Sequence, residues 1–233
     1  MPAMAQLART SLPDQVFRRL VADVLSGRYA PGERLPAQRA LASELGVNMA
    51  SVREGVKRLE QMRLVETRHG DGMRVCDWRA QGGLDVLVHA VAHGGVLNAA
   101  LVREVFEARR LLLAEAAGLA AARRSPEQAE LLARLAGEIA AAPDDATAQG
   151  LDLAFMATAI EAAGNVAFSL IANSIRDVYL ESLDLFRAIV TRREELDYAA
   201  VAVAIARGDA VRARLAMAAL ASAQEQRLFE AVA

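Results

Sequence analysis

The sequence is short of cysteine, proline and aromatic residues, and each shortage is informative. A single cysteine, Cys76, among 233 residues excludes an internal disulfide and a metal site built from cysteines. Six prolines, an aromatic content of 4% and many alanine, leucine, valine and arginine residues favour helices over sheet, because alanine and unbranched side chains lose least freedom on entering a helix. We expect a mainly α-helical chain suited to a reducing cytoplasm.

Long apolar runs are also missing. No stretch reaches about 18 apolar residues without a charge, which is the length that a membrane-spanning helix needs. The N-terminus has no apolar core behind a basic start, so the sequence predicts no export signal and no membrane partner. An apolar fraction of 54% is nevertheless ample for packed cores. The protein is expected to be cytoplasmic and to fold without covalent crosslinks.

The net charge of −2 hides an asymmetry along the chain. Residues 1–78 carry 12 basic and 9 acidic side chains, whereas residues 79–233 carry 15 basic and 20 acidic side chains. Because nucleic acids attract positive surfaces, the first part is the one that can bind a polyanion.

The stretch 35–75 has the pattern of a helix, a tight turn, a second helix and a two-stranded ribbon. A short helix over Ala37–Leu45 stops at Gly46, and Asn48 is placed to cap the next helix. Strands are predicted over Leu64–Thr67 and Met73–Cys76, about a turn with two glycines. This order is typical of a winged helix-turn-helix, whose second helix enters a DNA major groove.

The second of these helices has two distinct faces. Its apolar residues recur at helical spacing and are expected in the core: Val52, Val56, Leu59 and Met62. Ser51, Arg53 and Lys57 lie off this stripe and are expected to face outward. They form the candidate DNA-reading face, although each charged residue could instead be an ordinary solvated side chain.

Turn signals divide the chain into four segments. They are a flexible tail over 1–10, the winged helix-turn-helix over 11–78, a linker and linker helix over 79–95, and an antiparallel α-helical bundle over 96–233. Beyond the linker at Gly82-Gly83, helices are predicted over about 84–92, 97–123, 126–142, 146–163, 166–190, 193–207 and 209–231.

The predicted helix-turn-helix and wing resemble the GntR family of bacterial regulators. The resemblance rests on PGERLPAQRALASELGV at 31–47, NMASVRE at 48–54 and a glycine-containing wing. After Trp78 the chain resembles the all-helical effector domain of the FadR branch, through Arg109, LDLAFMATAIEAAGN at 151–165 and DYAAVAVAIARGDAVRARLAMAAL at 197–220. The resemblance implies a DNA-binding transcriptional regulator whose last domain binds an effector and dimerises.

By this resemblance, DNA contacts come from the second helix, the start of the third helix and the wing tip. The candidates are Arg39, Asn48, Met49, Ser51, Arg53, Lys57, His69 and Gly70. An arginine fork suits phosphate or a guanine edge. This chain departs from the family at Met49, followed by Ala50, where the family usually has arginine. We therefore expect an operator that differs from the family's usual half-site at that base step, or weaker affinity for DNA.

Many FadR-branch domains hold a divalent metal with an aspartate, a histidine four residues later and two further histidines. Here these positions are Asp152, Met156, Tyr198 and Leu220. A thioether, a phenol and an alkyl group do not replace three imidazoles, so we expect no metal and no cofactor. Asp152 is then either an N-terminal helix charge or a buried polar partner of Tyr198.

His89 and His93 form a second possible metal pair, because they are spaced i, i+4 on a predicted helix. No third ligand is evident, and an exposed pair at the interface between domains is the favoured interpretation.

Without a metal, the chain is most similar to the acyl-CoA-sensing members of this branch. The similarity lies in WRAQGGLDVL at 78–87, in LDLAFMATAIEAAGN without its histidine, and in Tyr179. The candidate effector residues are Arg109, Asp152, Phe155, Met156, Tyr179, Phe186, Tyr198 and Leu220. The apolar members could instead be ordinary core residues. The effector is expected to be a fatty acyl-CoA or another apolar acid, or alternatively a small organic acid held by Arg109.

The sequence also predicts a homodimer without enzymatic activity. One small winged helix contacts too few bases for useful specificity, so a homodimer on a pseudo-palindromic operator is expected. An enzyme is not expected, because the sequence offers no paired acid and base, no Ser/His/Asp set and no phosphate-binding glycine loop.

Overall fold

The computed structural model is mainly helical, which confirms the predicted fold class. It describes residues 11–68, 70–93, 96–181, 183–191 and 196–232. The chain divides after Asn98 into an N-terminal and a C-terminal unit.

The N-terminal unit contains the predicted helix-turn-helix and wing. Its elements are α1 (Leu12–Leu25), α2 (Gln38–Leu45), α3 (Met49–Gln61), β1 (Val65–Arg68), β2 (Gly72–Val75), α4 (Trp78–Gln81), α5 (Asp85–Val91), β3 (Ala92–His93) and β4 (Val96–Leu97). The wing is an antiparallel ribbon in which Val65 pairs with Val75 and Arg68 with Gly72. The sequence did not predict β3 and β4, which pair with each other just after α5.

The position of α3 is set by its close packing against α1. A Cβ atom on Gly55 would lie 2.9 Å from Val16 Cγ1 and 3.2 Å from the Phe17 backbone nitrogen, so the crossing requires glycine there. Ser11 caps α1 through a reciprocal capping box with Asp14. Gly46 ends α2 with a left-handed φ of 64°, which makes the tight turn into α3.

The regular secondary structure described in the C-terminal unit is all helical. Its elements are α6 (Ala99–Arg123), α7 (Pro126–Ala140), α8 (Asp145–Ala162), α9 (Val166–Glu181), α10 (Leu183–Phe186), a 3₁₀ turn (Arg187–Val190), α11 (Tyr198–Arg207) and α12 (Ala210–Val232). The ion pairs Arg110–Glu225 and Arg214–Glu115 show that α6 and α12 run antiparallel. Small buried residues on α6, such as Ala117 and Ala120, allow a close approach of its neighbours.

The helix predicted over 166–190 extends too far, because Arg187–Val190 form a 3₁₀ turn. Residues 166–181 and 183–186 are helical, as predicted. Phe186 and Ile189 are both buried, and a spacing of three residues puts side chains on one face of a 3₁₀ turn. Tertiary packing therefore decides the local structure. Within the described ranges, no helix is long and apolar enough to cross a membrane.

Candidate DNA-binding surface and helical cavity

Helix α3 begins with a side-chain cap. The Asn48 side-chain oxygen accepts a hydrogen bond of 2.8 Å from the Ser51 backbone N–H. Ser51 itself is only 5% exposed, so the prediction that it faces outward is wrong. The buried stripe is wider than the apolar pattern indicated, because it includes Ser51 and Gly55 as well as the large residues.

Arg39 on α2 and Arg53 and Lys57 on α3 are exposed. Among the described residues no salt bridge involves these three side chains. Their charges are thus available to a polyanion. Phosphate contacts of this kind position a protein on DNA, and arginine can also contact a guanine edge.

Other basic residues of the N-terminal unit are engaged within the protein. Arg58 forms an ion pair with Asp14, and its guanidinium carbon lies 3.9 Å from the centre of the Phe17 ring. Asp71, in the turn between β1 and β2, pairs with both Arg34 and Arg74. These arginines stabilise the fold of the unit.

The first turn of α3 is apolar on its surface, because Met49 is 39% exposed and Ala50 is exposed beside it. At the wing tip, Gly70 and Gly72 have φ angles of 76° and 83°, which other residues rarely adopt. His69 lies outside the described residues, so its predicted contact is not placed.

A cavity of about 240 Å³ lies in the C-terminal unit, where α6, α8 and α9 meet. Its walls are mostly apolar and include Phe106, Leu113, Met156, Ile160, Val178 and Phe186. Three predicted residues with polar groups, Arg109, Asp152 and Tyr179, also line it.

Three other predicted effector residues do not line this cavity. Phe155, Tyr198 and Leu220 are buried in the helical core, and the rings of Phe155 and Tyr198 pack edge to face at 5.2 Å. Helical spacing does not distinguish a cavity wall from the core behind it, so the sequence pattern could not separate these three residues from the residues of the wall.

Among the described residues, Arg109 is anchored through one of its nitrogens. Its Nη2 donates a hydrogen bond of 2.9 Å to the Gln224 Oε1 on α12. Its Nη1 is buried and makes no hydrogen bond within the described part of the chain. Buried donors are normally satisfied, so this atom is an unusual feature of the cavity.

Tyr179 presents a second such group. Its ring stacks on Phe186 with centres 5.2 Å apart, and its buried hydroxyl lacks a hydrogen bond of acceptable geometry among the described residues. Burial and the nearby Asp152 raise the pKa of Tyr179, while the Gln149 side chain opposes this shift. Because burial and the Asp152 charge both disfavour the phenolate, the Tyr179 hydroxyl stays neutral. Gln149 donates its side-chain N–H to the Leu183 carbonyl at 2.8 Å.

Asp152 is 1% exposed and belongs to a buried network. Its Oδ1 accepts from the Tyr198 hydroxyl at 2.8 Å and from Gln224 Nε2 at 2.7 Å. Burial raises the pKa of Asp152, and the charge of Arg109 and these two hydrogen bonds oppose the shift. Of the two alternatives for Asp152, the buried partner of Tyr198 is correct.

The residues around Asp152 do not fit a metal. Met156, Tyr198 and Leu220 bring no imidazole or carboxylate, and Asp152 is already bonded to two protein donors. Within the described ranges no three His, Cys, Asp or Glu residues are grouped to hold a metal ion. His89 and His93 do not lie on one helix, because α5 ends at Val91 and His93 belongs to β3. The His89 ring packs on Phe17 with centres 5.3 Å apart, and the His93 side chain lies outside the described residues.

Gln224 was not predicted from the sequence. It lies one helical turn after Leu220 on α12, and its uncharged amide among many alanines was the only available signal. Its contacts with Arg109 and Asp152 span 115 and 72 residues.

The structure defines a winged helix-turn-helix followed by a helical unit with an internal cavity. The model of the bacterial regulatory proteins of the gntR family matches residues 12–75, and the FCD domain model matches residues 104–223. The chain belongs to the GntR family and carries an FCD effector domain. It is a transcriptional regulator, and the families it matches contain regulators rather than enzymes.

Similar proteins cover most of the chain. The HTH-type transcriptional regulator Mce2R of Mycobacterium tuberculosis is 37% identical over 92% of this chain and 90% of its own length. The fatty acid metabolism regulator protein of Edwardsiella ictaluri is 29% identical over 69% of this chain and 66% of its own length.

Solved structures agree with the fold. The structure of Streptococcus agalactiae GntR has a TM-score of 0.50 and 26% identity, covering 92% of this chain and 99% of that one. Lar, which controls the expression of the Listeria monocytogenes agr system, has a TM-score of 0.60 and 17% identity, covering 96% and 99%.

Proposed function

We propose that the protein is a homodimeric regulator that binds a pseudo-palindromic DNA operator, and that an acid bound in the helical cavity alters this binding. Two-fold pairing doubles the number of bases contacted, which one small winged helix needs for specificity. A ligand can change operator affinity only by binding more tightly to one of two arrangements of the dimer.

The proposed DNA contacts are the exposed side chains of Arg39, Arg53 and Lys57, with Asn48 and Met49 at the start of α3 and Gly70 at the wing tip. Arg53 is the best candidate for base contact, because it lies on the outer face of α3 without an internal acidic partner among the described residues. Met49 offers only apolar contact there, such as contact with a thymine methyl group.

The observation that supports acid binding is the buried Nη1 of Arg109, which has no partner among the described residues and lies beside an apolar cavity. A buried donor without a partner costs roughly 1–3 kcal/mol. A carboxylate on Arg109 recovers this free energy, and Tyr179 can donate a second hydrogen bond. The effector therefore enters with its acid group first and its apolar part against Met156 and Ile160.

This orientation favours a free apolar acid over an acyl-CoA. A thioester entering by its acyl chain would bring an alkyl tail to Arg109 and leave the buried Nη1 without an acceptor. The cavity of about 240 Å³ is also smaller than the roughly 300–1,000 Å³ of sites for drug-sized ligands. The similarity to a fatty acid metabolism regulator supports the choice of an apolar acid.

The test has two parts. DNA fragments that the full chain selects from a random pool are first compared with random duplex at moderate salt. Butyrate, octanoate, decanoate, palmitate and palmitoyl-CoA are then titrated by calorimetry and added to the selected complex.

We expect selective DNA binding that octanoate or decanoate changes and palmitoyl-CoA does not. Equal affinity for random duplex would contradict the operator proposal. A response to palmitoyl-CoA alone would favour the thioester, and a response to butyrate alone would favour a small organic acid.

A further inference from the structure

Gln224 joins four helices through one side-chain amide. It is 0% exposed and lies on α12. Its oxygen accepts from Arg109 of α6 at 2.9 Å, and its nitrogen donates to Asp152 of α8 at 2.7 Å and to the Tyr198 hydroxyl of α11 at 2.9 Å. All three partners are buried or half-buried, so these hydrogen bonds are largely shielded from water.

The chemistry of the partners fixes the orientation of this amide. A guanidinium can only donate hydrogen bonds, so the Gln224 oxygen must face Arg109. The NH₂ group then faces the Asp152 carboxyl and the Tyr198 oxygen, and Tyr198 gives its own hydrogen to Asp152. Rotating the amide by half a turn would place its NH₂ against the Arg109 N–H groups and its oxygen against Asp152.

A fixed amide also fixes the guanidinium. The group is planar and rigid, so holding Nη2 at Gln224 restricts where Nη1 can lie. Nη1 is the atom left without a partner among the described residues, and Arg109 lines the cavity. Gln224 itself does not line the cavity.

We propose that Gln224 is a positioning residue for acid binding. It does not touch the ligand, but it orients Arg109 toward the cavity and links that arginine to Asp152, Tyr198 and the C-terminal helix. The inference rests on the proposed binding of an acid at Arg109.

Three substitutions separate positioning from a purely structural role. Gln224→Met removes all three hydrogen bonds at similar volume. Tyr198→Phe removes one hydroxyl of the same network but leaves the Gln224–Arg109 contact. Gln226→Met is the surface control, since Gln226 lies on the same helix and bonds only the exposed Glu230 among the contacts described.

The experiment measures octanoate affinity by calorimetry and thermal unfolding for each full-length variant. Loss of an orienting hydrogen bond to a charged group predicts about a tenfold or greater loss of affinity in Gln224→Met. We expect Tyr198→Phe to lower the unfolding temperature yet keep affinity within about twofold, and Gln226→Met to match the unsubstituted protein in both.

Gln224→Glu provides a readout that a structural role would not change. In its ionised form, the introduced carboxylate neutralises Arg109 and offers Asp152 and Tyr198 no donor. In its protonated form, the introduced acid restores a carbonyl for Arg109 and an O–H for Asp152. The charged or titratable neighbours of this position are Arg109, Asp152 and Tyr198. The octanoate affinity of this variant, relative to that of the unsubstituted protein, should therefore recover as the pH is lowered.

Equal octanoate affinity in Gln224→Met and the unsubstituted protein overturns the inference and leaves the proposed function intact. The inference is also overturned, and the proposed function left intact, if Tyr198→Phe and Gln224→Met both lose octanoate affinity in proportion to their loss of stability. If the unsubstituted protein binds neither octanoate nor decanoate, the acid-binding function fails and the inference fails with it.

Discussion

Arg53 in the N-terminal unit and Arg109 in the C-terminal unit each lack an ion pair within the described ranges, but their surroundings differ. Arg53 is exposed on α3, where water satisfies its donors at no cost to folding. Arg109 is held beside an apolar cavity with one nitrogen buried and unbonded. The exposed arginine is free to adapt to a partner, whereas the buried one is oriented before a ligand arrives.

The difference has consequences for binding. Contacts to DNA by exposed cations depend strongly on salt, because they release counterions from the DNA. A carboxylate inside a cavity is screened much less by salt. Substitutions in the two regions should therefore differ in size and in salt dependence.

The largest effect is expected from Arg109→Met. Removing a hydrogen bond to a charged group costs about 1.5–3 kcal/mol, which is roughly a 10- to 150-fold loss of octanoate affinity. Calorimetry on the full chain measures this loss. The matched control is Arg110→Met, because Arg110 approaches Glu225 at 4.0 Å and does not line the cavity. Retained octanoate binding in Arg109→Met would show that the cavity does not bind the acid through this residue.

Arg53→Ala is expected to weaken operator binding by about 1–3 kcal/mol and to relax the preference at one base position. Thermal unfolding should not change, since Arg53 has no ion pair to lose among the described residues. Arg58→Ala gives the contrast, because Arg58 contacts Asp14 and Phe17. That variant should unfold at a lower temperature. The assignment of Arg53 to DNA binding and of Arg58 to stability is contradicted if Arg53→Ala destabilises the protein and leaves DNA binding unchanged.

Lys57→Ala should have a smaller and more uniform effect. A lysine that contacts phosphate contributes to binding of every sequence, so its loss should reduce the salt dependence of log Kd by about one unit of slope. Fluorescence anisotropy at several salt concentrations measures this slope. An unchanged slope would exclude a phosphate contact by Lys57. Octanoate binding should depend little on salt, and a strong salt dependence would contradict the contrast between the two regions.

The smallest effect concerns Asp152 and pH. Its folded-state pKa lies above the ordinary value of 3.8, mainly because it is buried. The folded protein therefore binds this proton more tightly than the unfolded chain, so the stability that Asp152 contributes falls as pH rises from about 3.8 through the folded pKa. Asp152→Asn keeps an acceptor for Tyr198 and Gln224 but stays neutral.

Hydrogen exchange in α8 measures this dependence in the full chain. The stability of Asp152→Asn relative to the unsubstituted protein should increase with pH across that range. A relative gain by the unsubstituted protein as the pH rises would show that the Asp152 carboxylate is net favourable in the fold.

The fold was largely predictable from the sequence because its signals are local. Three signals locate α3, and they lie close together in the sequence: the glycine that ends α2, the asparagine cap and the apolar stripe of the helix. The error at Ser51 arose because a small polar residue can lie on the buried face of a helix, which hydropathy does not indicate. The 3₁₀ turn at 187–190 depends on the burial of Phe186 and Ile189 against helices that are distant in sequence.

The cavity was predictable only in part. Arg109 and Tyr179 were expected from the resemblance to FadR-branch regulators, and both line the cavity. Gln224 lies 115 residues from Arg109, and no periodicity connects two such positions. Phe155 and Leu220 have the same helical spacing as wall residues, and only the packing of α8 and α12 places them in the core.

The most direct measurement of the central claim is operator affinity with and without saturating octanoate, for the unsubstituted protein and for Arg109→Met. Coupling between two sites is typically about 5- to 150-fold, so octanoate should change the Kd of the unsubstituted protein by at least about fivefold. Arg109→Met should bind the operator equally well without acid and show no response to it. An equal response in both proteins, or no response in either, would contradict acid control through this cavity.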